Sequence, residues 1–116
     1  MTINVALAAW GMSGREFHAP LIAAEPRLSL AAILRRSGPD GSEPEGARCV
    51  PDFQAILNDP AIDLVVVNTP NELHYPMASA ALAAGKHVVL EKPITVTVDD
   101  ARALAAEAKA AGRLLA

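Results

Sequence analysis

Aromatic residues and cysteine are scarce in this chain. Aromatic side chains make up 3% of the residues, so a core must be built from Ala, Leu, Val and Ile. Small aliphatic side chains suit helices packed closely on a sheet better than a β-sandwich. Cys49 is the single cysteine, which excludes an internal disulfide and favours a reducing compartment. No His or acid stands near it at a spacing that supports catalysis, so we expect Cys49 to be a core residue of a minor strand, and we expect no metal site.

The chain also lacks an excess of basic residues and any long apolar run. Its formal net charge is −3, so it carries no electrostatic footprint for nucleic acid or for an anionic membrane. No apolar run approaches the roughly 20 residues of a membrane span, and no N-terminal signal pattern is present. We therefore expect no nucleic-acid or membrane partner and a cytoplasmic location. At 116 residues the chain is expected to form one domain, residues 1–116.

The N-terminal sequence predicts a strand, a glycine-containing turn and a helix. Residues 3–8 suit a buried strand, and Ala9-Trp10-Gly11-Met12-Ser13-Gly14 forms the turn. Such a unit opens a dinucleotide-binding fold, in which Gly11 lets the backbone approach a pyrophosphate and Gly14 lets the helix pack closely on the strand. Ala9 stands where the fingerprint has its first glycine, which weakens the match without cancelling it. The turn residues expected to bind the cofactor are Ala9, Gly11, Met12, Ser13 and Gly14.

The first predicted helix contains a proline. Phe17, Leu21 and Ile22 have the spacing of one helix face. Pro20 predicts either a kink or a first turn that ends before a second short helix begins. His18 could face the ligand edge of the sheet, but a position on the helix surface is favoured.

Two arginines follow the second predicted strand, residues 28–34. NAD enzymes place a carboxylate at the end of this strand, about 20 residues past the glycine turn, where it binds the ribose hydroxyls. Here that place holds Arg35, with Arg36 and Ser37 beside it. Guanidinium and hydroxyl groups suit a 2′-phosphate, and the missing carboxylate removes a repulsion, so NADP is favoured over NAD. The alternative is that one or both arginines are solvent-exposed charges at the strand end and bind no cofactor.

The next segment predicts a surface loop and two short elements. Residues 37–46 are polar and rich in turn residues, which leaves little room for a helix before a short strand at residues 48–50. Asp52 is expected to cap a helix over residues 53–57.

The clearest strand signal covers residues 63–68. This β-branched run has no polar alternation, which predicts burial on both faces. A helix is expected over residues 75–84, with Gly85 as its C-cap. The residues between this strand and this helix would stand at the ligand edge, beside the glycine turn. They could be turn and capping residues with no further function, but their position favours cofactor contact at least as strongly. The residues expected to bind the cofactor here are Thr69, Pro70, Asn71 and His74.

Glu91-Lys92-Pro93 follows the apolar run of residues 87–90, which has the pattern of a buried parallel strand. Ligands bind outside the carboxyl ends of parallel strands, so Glu91 and Lys92 would emerge at the ligand edge. Pro93 fixes the chain direction there, and we expect all three residues to lie at the cofactor. The alternative is a strand that simply ends in solvated charges.

The C-terminal residues predict an alanine-rich helix and the start of a strand. The helix covers residues 98–111, with a capping box of Thr97 and Asp100 and with Gly112 as its C-cap. Residues 114–116 begin another apolar strand. We interpret the chain as part of a longer protein.

Four segments in this order carry a family resemblance: Ala-Trp-Gly-Met-Ser-Gly, Phe-His-Ala-Pro-Leu-Ile, Asn-Thr-Pro-Asn-Glu-Leu-His and Glu-Lys-Pro. Together they resemble the glucose–fructose oxidoreductase / inositol dehydrogenase (Gfo/Idh/MocA) family over essentially the whole chain. The resemblance implies an α/β fold, a doubly wound parallel sheet (Rossmann fold) in one NAD(P)-binding domain, truncated before a second α/β domain. It also implies an oxidoreductase that transfers hydride between nicotinamide and a sugar, cyclitol or related hydroxyl or carbonyl substrate.

The resemblance also assigns roles to residues. In the family the Glu-Lys-Pro lysine lies near the nicotinamide and the reacting hydroxyl, which implies that Lys92 is catalytic and that Glu91 orients Lys92 or caps a backbone group. The family's second domain supplies Asp and His residues for proton transfer and a sheet for oligomerisation. This sequence holds no such domain, so the fragment alone is expected to be inactive and the full-length protein to be a homo-oligomer.

Other classes of protein stay open at this point. A non-catalytic NAD(P)-binding, redox-sensing module would carry the same glycine turn without turnover. A flavodoxin-like or CoA-binding domain shares the strand–glycine–helix unit but has no evident use for Glu-Lys-Pro after a late strand. A Rossmann-shaped protein with no ligand is the remaining alternative.

Overall fold

Five parallel strands form one sheet at the centre of the molecule. The computed structural model describes residues 1–116. The strands are β1 (Ile3–Leu7), β2 (Leu28–Leu34), β3 (Arg48–Val50), β4 (Leu64–Val67) and β5 (His87–Leu90). They lie in the order β3-β2-β1-β4-β5, and every neighbouring pair is parallel. The chain changes its direction of travel across the sheet between β1 and β4, and in open α/β sheets this is where ligands bind.

Helices cover both faces of this sheet. The α-helices are α1 (Ala19–Ala24), α2 (Phe53–Leu57), α3 (His74–Ala83) and α4 (Val98–Ala111). One face of the sheet packs against α2, α3 and α4, and the other packs against α1. The predicted doubly wound sheet is therefore confirmed.

The centre of the sheet is buried on both sides, as the β4 sequence predicts. Val65 and Val67 are fully buried in the larger core cluster, and Val66 is 3% exposed in the smaller one on the opposite face. Successive strand residues point to opposite faces, so a strand without polar alternation must be covered on both.

The first helix begins with a wider turn than the sequence predicts. Gly14–His18 form a π-helical turn, and α1 follows with Pro20 in its first turn. The backbone stays helical from Met12 to Ala24, so the first turn does not end before a second helix begins, and the irregularity is the π-helical turn that precedes Pro20. Phe17 and Leu21 are 56% and 69% exposed, however, and Ile22 alone of the three predicted apolar positions is buried. The wider π-helical turn changes the phase of the helix, so the α-helical spacing assigned the wrong face to Phe17 and Leu21.

The region between β2 and β4 follows the prediction with one exception. Residues 37–46 form no helix, and the Asp52 side chain caps α2 by accepting a hydrogen bond from the Ala55 N–H at 2.9 Å. Cys49 lies in β3, but it is half-buried and belongs to neither core cluster, because β3 is an edge strand. Burial and the Glu43 carboxylate raise the pKa of its thiol. A raised thiol pKa lowers the reactivity of this cysteine.

The C-terminal elements end as the capping signals predict. Thr97 Oγ1 accepts a hydrogen bond from the Asp100 N–H at 3.1 Å at the start of α4, and Gly112 ends the helix with a φ of +66°. Beyond it, Leu115 forms a parallel bridge with Val88 of β5. The predicted strand start at residues 114–116 therefore lies at the edge of the same sheet.

Candidate functional site

Three turns at the carboxyl ends of β1, β2 and β4 enclose a cleft of about 350 Å³. Its wall is largely apolar, with two arginines at one side. The lining residues are Ala8, Ala9, Trp10, Leu34, Arg35, Arg36, Thr69, Pro70, Leu73 and Met77. Ligand pockets of small molecules have this composition, an apolar wall with a few polar groups that fix orientation. The structure thus brings together the predicted residues Ala9, Arg35, Arg36, Thr69 and Pro70.

The two glycines of the first turn have different surroundings. A Cβ on Gly14 would lie 2.9 Å from the Ala9 carbonyl oxygen and 3.1 Å from Asn68 Nδ2. Gly14 is therefore required for close packing of the first helix on β1, as predicted. A Cβ on Gly11 would meet no atom within 4 Å, and Gly11 is exposed. Open space in front of Gly11 leaves its backbone free to be approached by a ligand.

Ala9 fits the turn without strain. No residue other than glycine has a positive φ in this structure, so the turn does not need a glycine at this place. Met12 is 71% exposed, and Ser13 is half-buried with its hydroxyl accepting a long 3.4 Å hydrogen bond from Asn68 Nδ2. The turn residues thus present backbone and a hydroxyl, and no acidic side chain, towards the edge of the sheet.

Asn68 connects the turn after β4 to the glycine turn. Its amide donates to the Ala9 carbonyl oxygen at 3.1 Å, while its own Oδ1 is buried without a partner. The Thr69 hydroxyl beside it is also buried without a partner and borders the cleft. Buried polar groups are normally hydrogen-bonded, so these two atoms fit a cleft that takes a polar ligand. Sequence reasoning assigned Asn68 to the strand and missed this role, since nothing local marks a contact across 59 residues.

Arg35 and Arg36 differ in their partners. Arg35 is held by two carboxylates of the following loop, with its Nη2 3.0 Å from Asp40 Oδ2 and its Nε 3.3 Å from Glu43 Oε2. Hydrogen bonds from Ser42 and the Arg35 guanidinium hold the pKa of Asp40 well below its usual range. Arg36 is exposed, borders the cleft and has no carboxylate partner.

The sequence did not indicate that carboxylates from elsewhere would lie near the end of β2. The strand end itself has none, but the 37–46 loop folds back and places two against Arg35. Ser37 is exposed in the turn after β2 and does not border the cleft.

Glu91-Lys92-Pro93 leaves the end of β5 as predicted. Lys92 is exposed and its ammonium group has no carboxylate partner. The Lys92–Pro93 peptide bond is cis. Glu91 contacts His18 on the first helix, with Oε1 2.5 Å from Nε2. The surface position favoured for His18 is thus wrong, since its side chain is 18% exposed and faces Glu91. Glu91 in turn does not bind Lys92 with its side chain.

His74 occupies a different place from the one predicted. It is 1% exposed, so its side chain is not presented at the ligand edge. Its Nδ1 lies 2.7 Å from the Pro93 carbonyl oxygen, and its Nε2 lies 2.9 Å from that of Thr69. His74 therefore joins the turn after β4 to the turn that carries Lys92. Asn71 is exposed at the start of the helical turn Asn71–Leu73.

Several apolar residues of the cleft were not named as binding residues from the sequence, among them Trp10, which was placed in the glycine turn, and Leu73 and Met77. Trp10 is 9% exposed, and its indole N–H donates to the Ser42 hydroxyl at 2.9 Å. Leu73, at the end of the helical turn Asn71–Leu73, and Met77, in α3, also border the cleft. Their i, i+4 spacing could have indicated one face of a helix directed at the sheet edge.

No group of three or more His, Cys, Asp or Glu side chains is arranged to hold a metal ion. None of the helices combines the length and the apolar character that crossing a membrane would require.

The parallel strand order, the close-packed glycine turn and the apolar cleft at the switch point define a dinucleotide-binding Rossmann domain. Residues 3–116 match the oxidoreductase family with an NAD-binding Rossmann fold, GFO_IDH_MocA. The chain belongs to this Gfo/Idh/MocA family, as the sequence motifs predict.

Individual relatives agree with this assignment. The oxidoreductase YdgJ of Escherichia coli K12, itself described as uncharacterized, is 46% identical over 117 residues, which cover 97% of this chain and 33% of YdgJ. The scyllo-inositol 2-dehydrogenase (NADP(+)) IolW of Bacillus subtilis 168 is 39% identical over 121 residues, covering 98% of this chain and 32% of IolW. A crystal structure of a candidate oxidoreductase from Bacteroides fragilis superposes with a TM-score of 0.94 at 46% identity, covering 99% of this chain and 34% of that one. The chain spans about a third of the length of these relatives.

Proposed function

We propose that the chain is the NADP-binding domain of an oxidoreductase that transfers hydride between nicotinamide and a sugar, cyclitol or related hydroxyl or carbonyl compound. One observation carries the proposal. The glycine turn, the Thr69 hydroxyl and the two arginines meet at one cleft at the switch point of the sheet. The relative IolW, named for its action on scyllo-inositol with NADP(+), supports the class of substrate and the cofactor.

The residues of the cleft fit such a cofactor. The N–H groups after Gly11 at the start of the first helix would hold the pyrophosphate, because free N–H groups and the helix dipole favour an anion there. The unpartnered Thr69 hydroxyl would bind a polar group of the cofactor. The apolar wall of Leu34, Leu73 and Met77 would accept a flat base. Arg36, free of carboxylates, would bind the 2′-phosphate together with Arg35.

Lys92 is the group that we expect to act on the substrate. The nicotinamide supplies or accepts the hydride when it is bound. The Lys92 ammonium would donate a hydrogen bond to the substrate oxygen and stabilise negative charge that develops on it. Neither Glu91 nor any other carboxylate neutralises this ammonium group. An acid or base outside residues 1–116 would move the proton, and the full-length protein would be a homo-oligomer.

Titration of the purified chain with NADPH and with NADH tests the proposal, with Trp10 fluorescence as the signal because Trp10 borders the cleft. We expect NADPH to bind more tightly. The variant Arg36→Met should lower NADPH affinity by roughly tenfold, the size of one strong charge-assisted contact, and leave NADH affinity unchanged. Equal affinities in the wild-type chain would refute the preference for NADP, and absence of binding to either would refute the proposed function.

A further inference from the structure

The 37–46 loop places one of its own carboxylates in a site built for an anion. Glu43 is 6% exposed at its side chain and lies against the Arg35 guanidinium, with Oε2 3.3 Å from Nε. Its carboxylate also accepts hydrogen bonds from the Gly41 N–H at 3.1 Å and the Asp40 N–H at 3.3 Å. A guanidinium group and two converging backbone N–H groups are the donors that proteins use to hold phosphates.

This anion site borders the cofactor cleft. Arg35 forms part of the cleft wall, and Arg36 stands next to it. In Rossmann domains the end of the second strand lies at the adenosine ribose, where a 2′-phosphate would be placed. Every charged group that contacts Arg35 comes from the loop, namely Asp40 and Glu43. Arg35 therefore cannot give its full charge to a phosphate while both carboxylates hold it.

The loop that carries Glu43 is held to the protein by few contacts. It has no buried hydrophobic residue between positions 37 and 46, and Gly38, Gly41 and Gly46 all have a positive φ. The ion pairs and hydrogen bonds between its side chains and the rest of the protein are the pairs with Arg35 and the hydrogen bond from Trp10 to Ser42. Moving Glu43 away from Arg35 would thus leave the hydrophobic core intact.

We propose that Glu43 occupies the place of the cofactor's 2′-phosphate and that NADP displaces it, so that the 37–46 loop sets the cofactor preference by competition for Arg35. This inference rests on the proposed function. NADH, which has no 2′-phosphate, leaves Glu43 on Arg35. Binding of NADPH releases the Gly41 and Asp40 N–H groups from the carboxylate. The loop carboxylates thereby lower the preference for NADPH that the two arginines would otherwise give.

The variant Glu43→Gln tests the competition. Glutamine keeps the size of the side chain and removes its charge, and its single amide oxygen can accept one of the two N–H hydrogen bonds, which in the wild-type chain go to different carboxylate oxygens. We expect NADPH affinity to rise by roughly three- to tenfold, the range of a single partly buried ion pair, with NADH affinity unchanged. Glu45→Gln is the matched control, because it removes the same charge from the same loop. Glu45 is exposed and has no ion-pair partner.

A second measurement uses the wild-type chain and needs no variant. The amide resonance of Gly41 should shift on addition of 2′-AMP or NADPH, and should stay in place on addition of 5′-AMP or NADH. Asp40→Asn removes the more exposed of the two carboxylates and should also raise NADPH affinity. It replaces Glu43→Gln as the test if Glu43→Gln does not fold.

The outcomes separate this inference from the function on which it rests. If both dinucleotides bind but Glu43→Gln behaves like Glu45→Gln, competition by the loop is refuted and the cofactor function stands. An unchanged Gly41 amide at saturating NADPH would refute it as well. If neither dinucleotide binds to the wild-type chain or to any variant, the proposed function and this inference are both refuted.

Discussion

Replacing Gly14 with alanine tests how tightly the first helix is packed. The added Cβ would lie 2.9 Å from the Ala9 carbonyl oxygen, 3.1 Å from Asn68 Nδ2 and 3.4 Å from Trp10 Cε3. Overpacking costs about 1–3 kcal/mol, and about 2–3 kcal/mol is expected here because the nearest atom is a backbone oxygen that cannot rotate away. The better helix propensity of alanine returns about 1 kcal/mol. The free energy of unfolding should therefore fall by about 1–2 kcal/mol, measured by urea denaturation, with a fall in Tm of roughly 3–8 °C.

Gly11→Ala is the matched control for this experiment. A Cβ at Gly11 meets no atom within 4 Å and the backbone there has no positive φ. The free energy of unfolding should change by no more than about 0.5 kcal/mol, while affinity for NADPH should fall because the new methyl group projects into the space proposed for the pyrophosphate. A Gly14→Ala variant as stable as the wild type would contradict the packing argument, and an unchanged NADPH affinity in Gly11→Ala would contradict the placement of the pyrophosphate.

Three further predictions concern other residues of the site and the sheet. In the full-length enzyme Lys92→Ala should lower kcat by about 100-fold or more, the size expected for loss of one donor to a developing oxyanion, with little change in cofactor affinity; an unchanged kcat would remove Lys92 from the mechanism. His74→Ala should lower the free energy of unfolding by about 2–4 kcal/mol, because it leaves a cavity in place of a fully buried side chain and removes the hydrogen bonding of that ring to the Thr69 and Pro93 turns, and a loss below about 0.5 kcal/mol in urea denaturation would contradict this. Cys49 should react with a thiol reagent more slowly than free cysteine at pH 8, since burial raises its pKa; reaction at the rate of free cysteine would show that the thiol is not shielded.

The features that could be predicted from the sequence are those set by local patterns. The apolar runs located every strand, and turn and cap residues such as Asp52 and Gly112 located helix ends. These signals act within a few residues along the chain. The ligand edge followed from them, because parallel strands all end at the same side of a sheet.

The features that were missed depend on contacts between distant parts of the chain. Asn68 and Ala9 are 59 residues apart, and His18 and Glu91 are 73 apart. The two carboxylates on Arg35 come from a loop whose glycines permit many backbone paths, so its return to the strand end has no local signal. The π-helical turn after Gly14 changed the buried face of the first helix for the same reason, because the packing on the sheet decides it.

The buried imidazole of His74 has a consequence for the entropy of ligand binding. One rigid ring lies between the Thr69 and Pro93 carbonyl oxygens, at 2.9 Å and 2.7 Å from its two nitrogens. The turn that borders the cleft and the turn that carries Lys92 are therefore already aligned before anything binds. A ligand that contacts both turns does not have to immobilise one against the other, and the free-energy cost of that ordering has been met during folding.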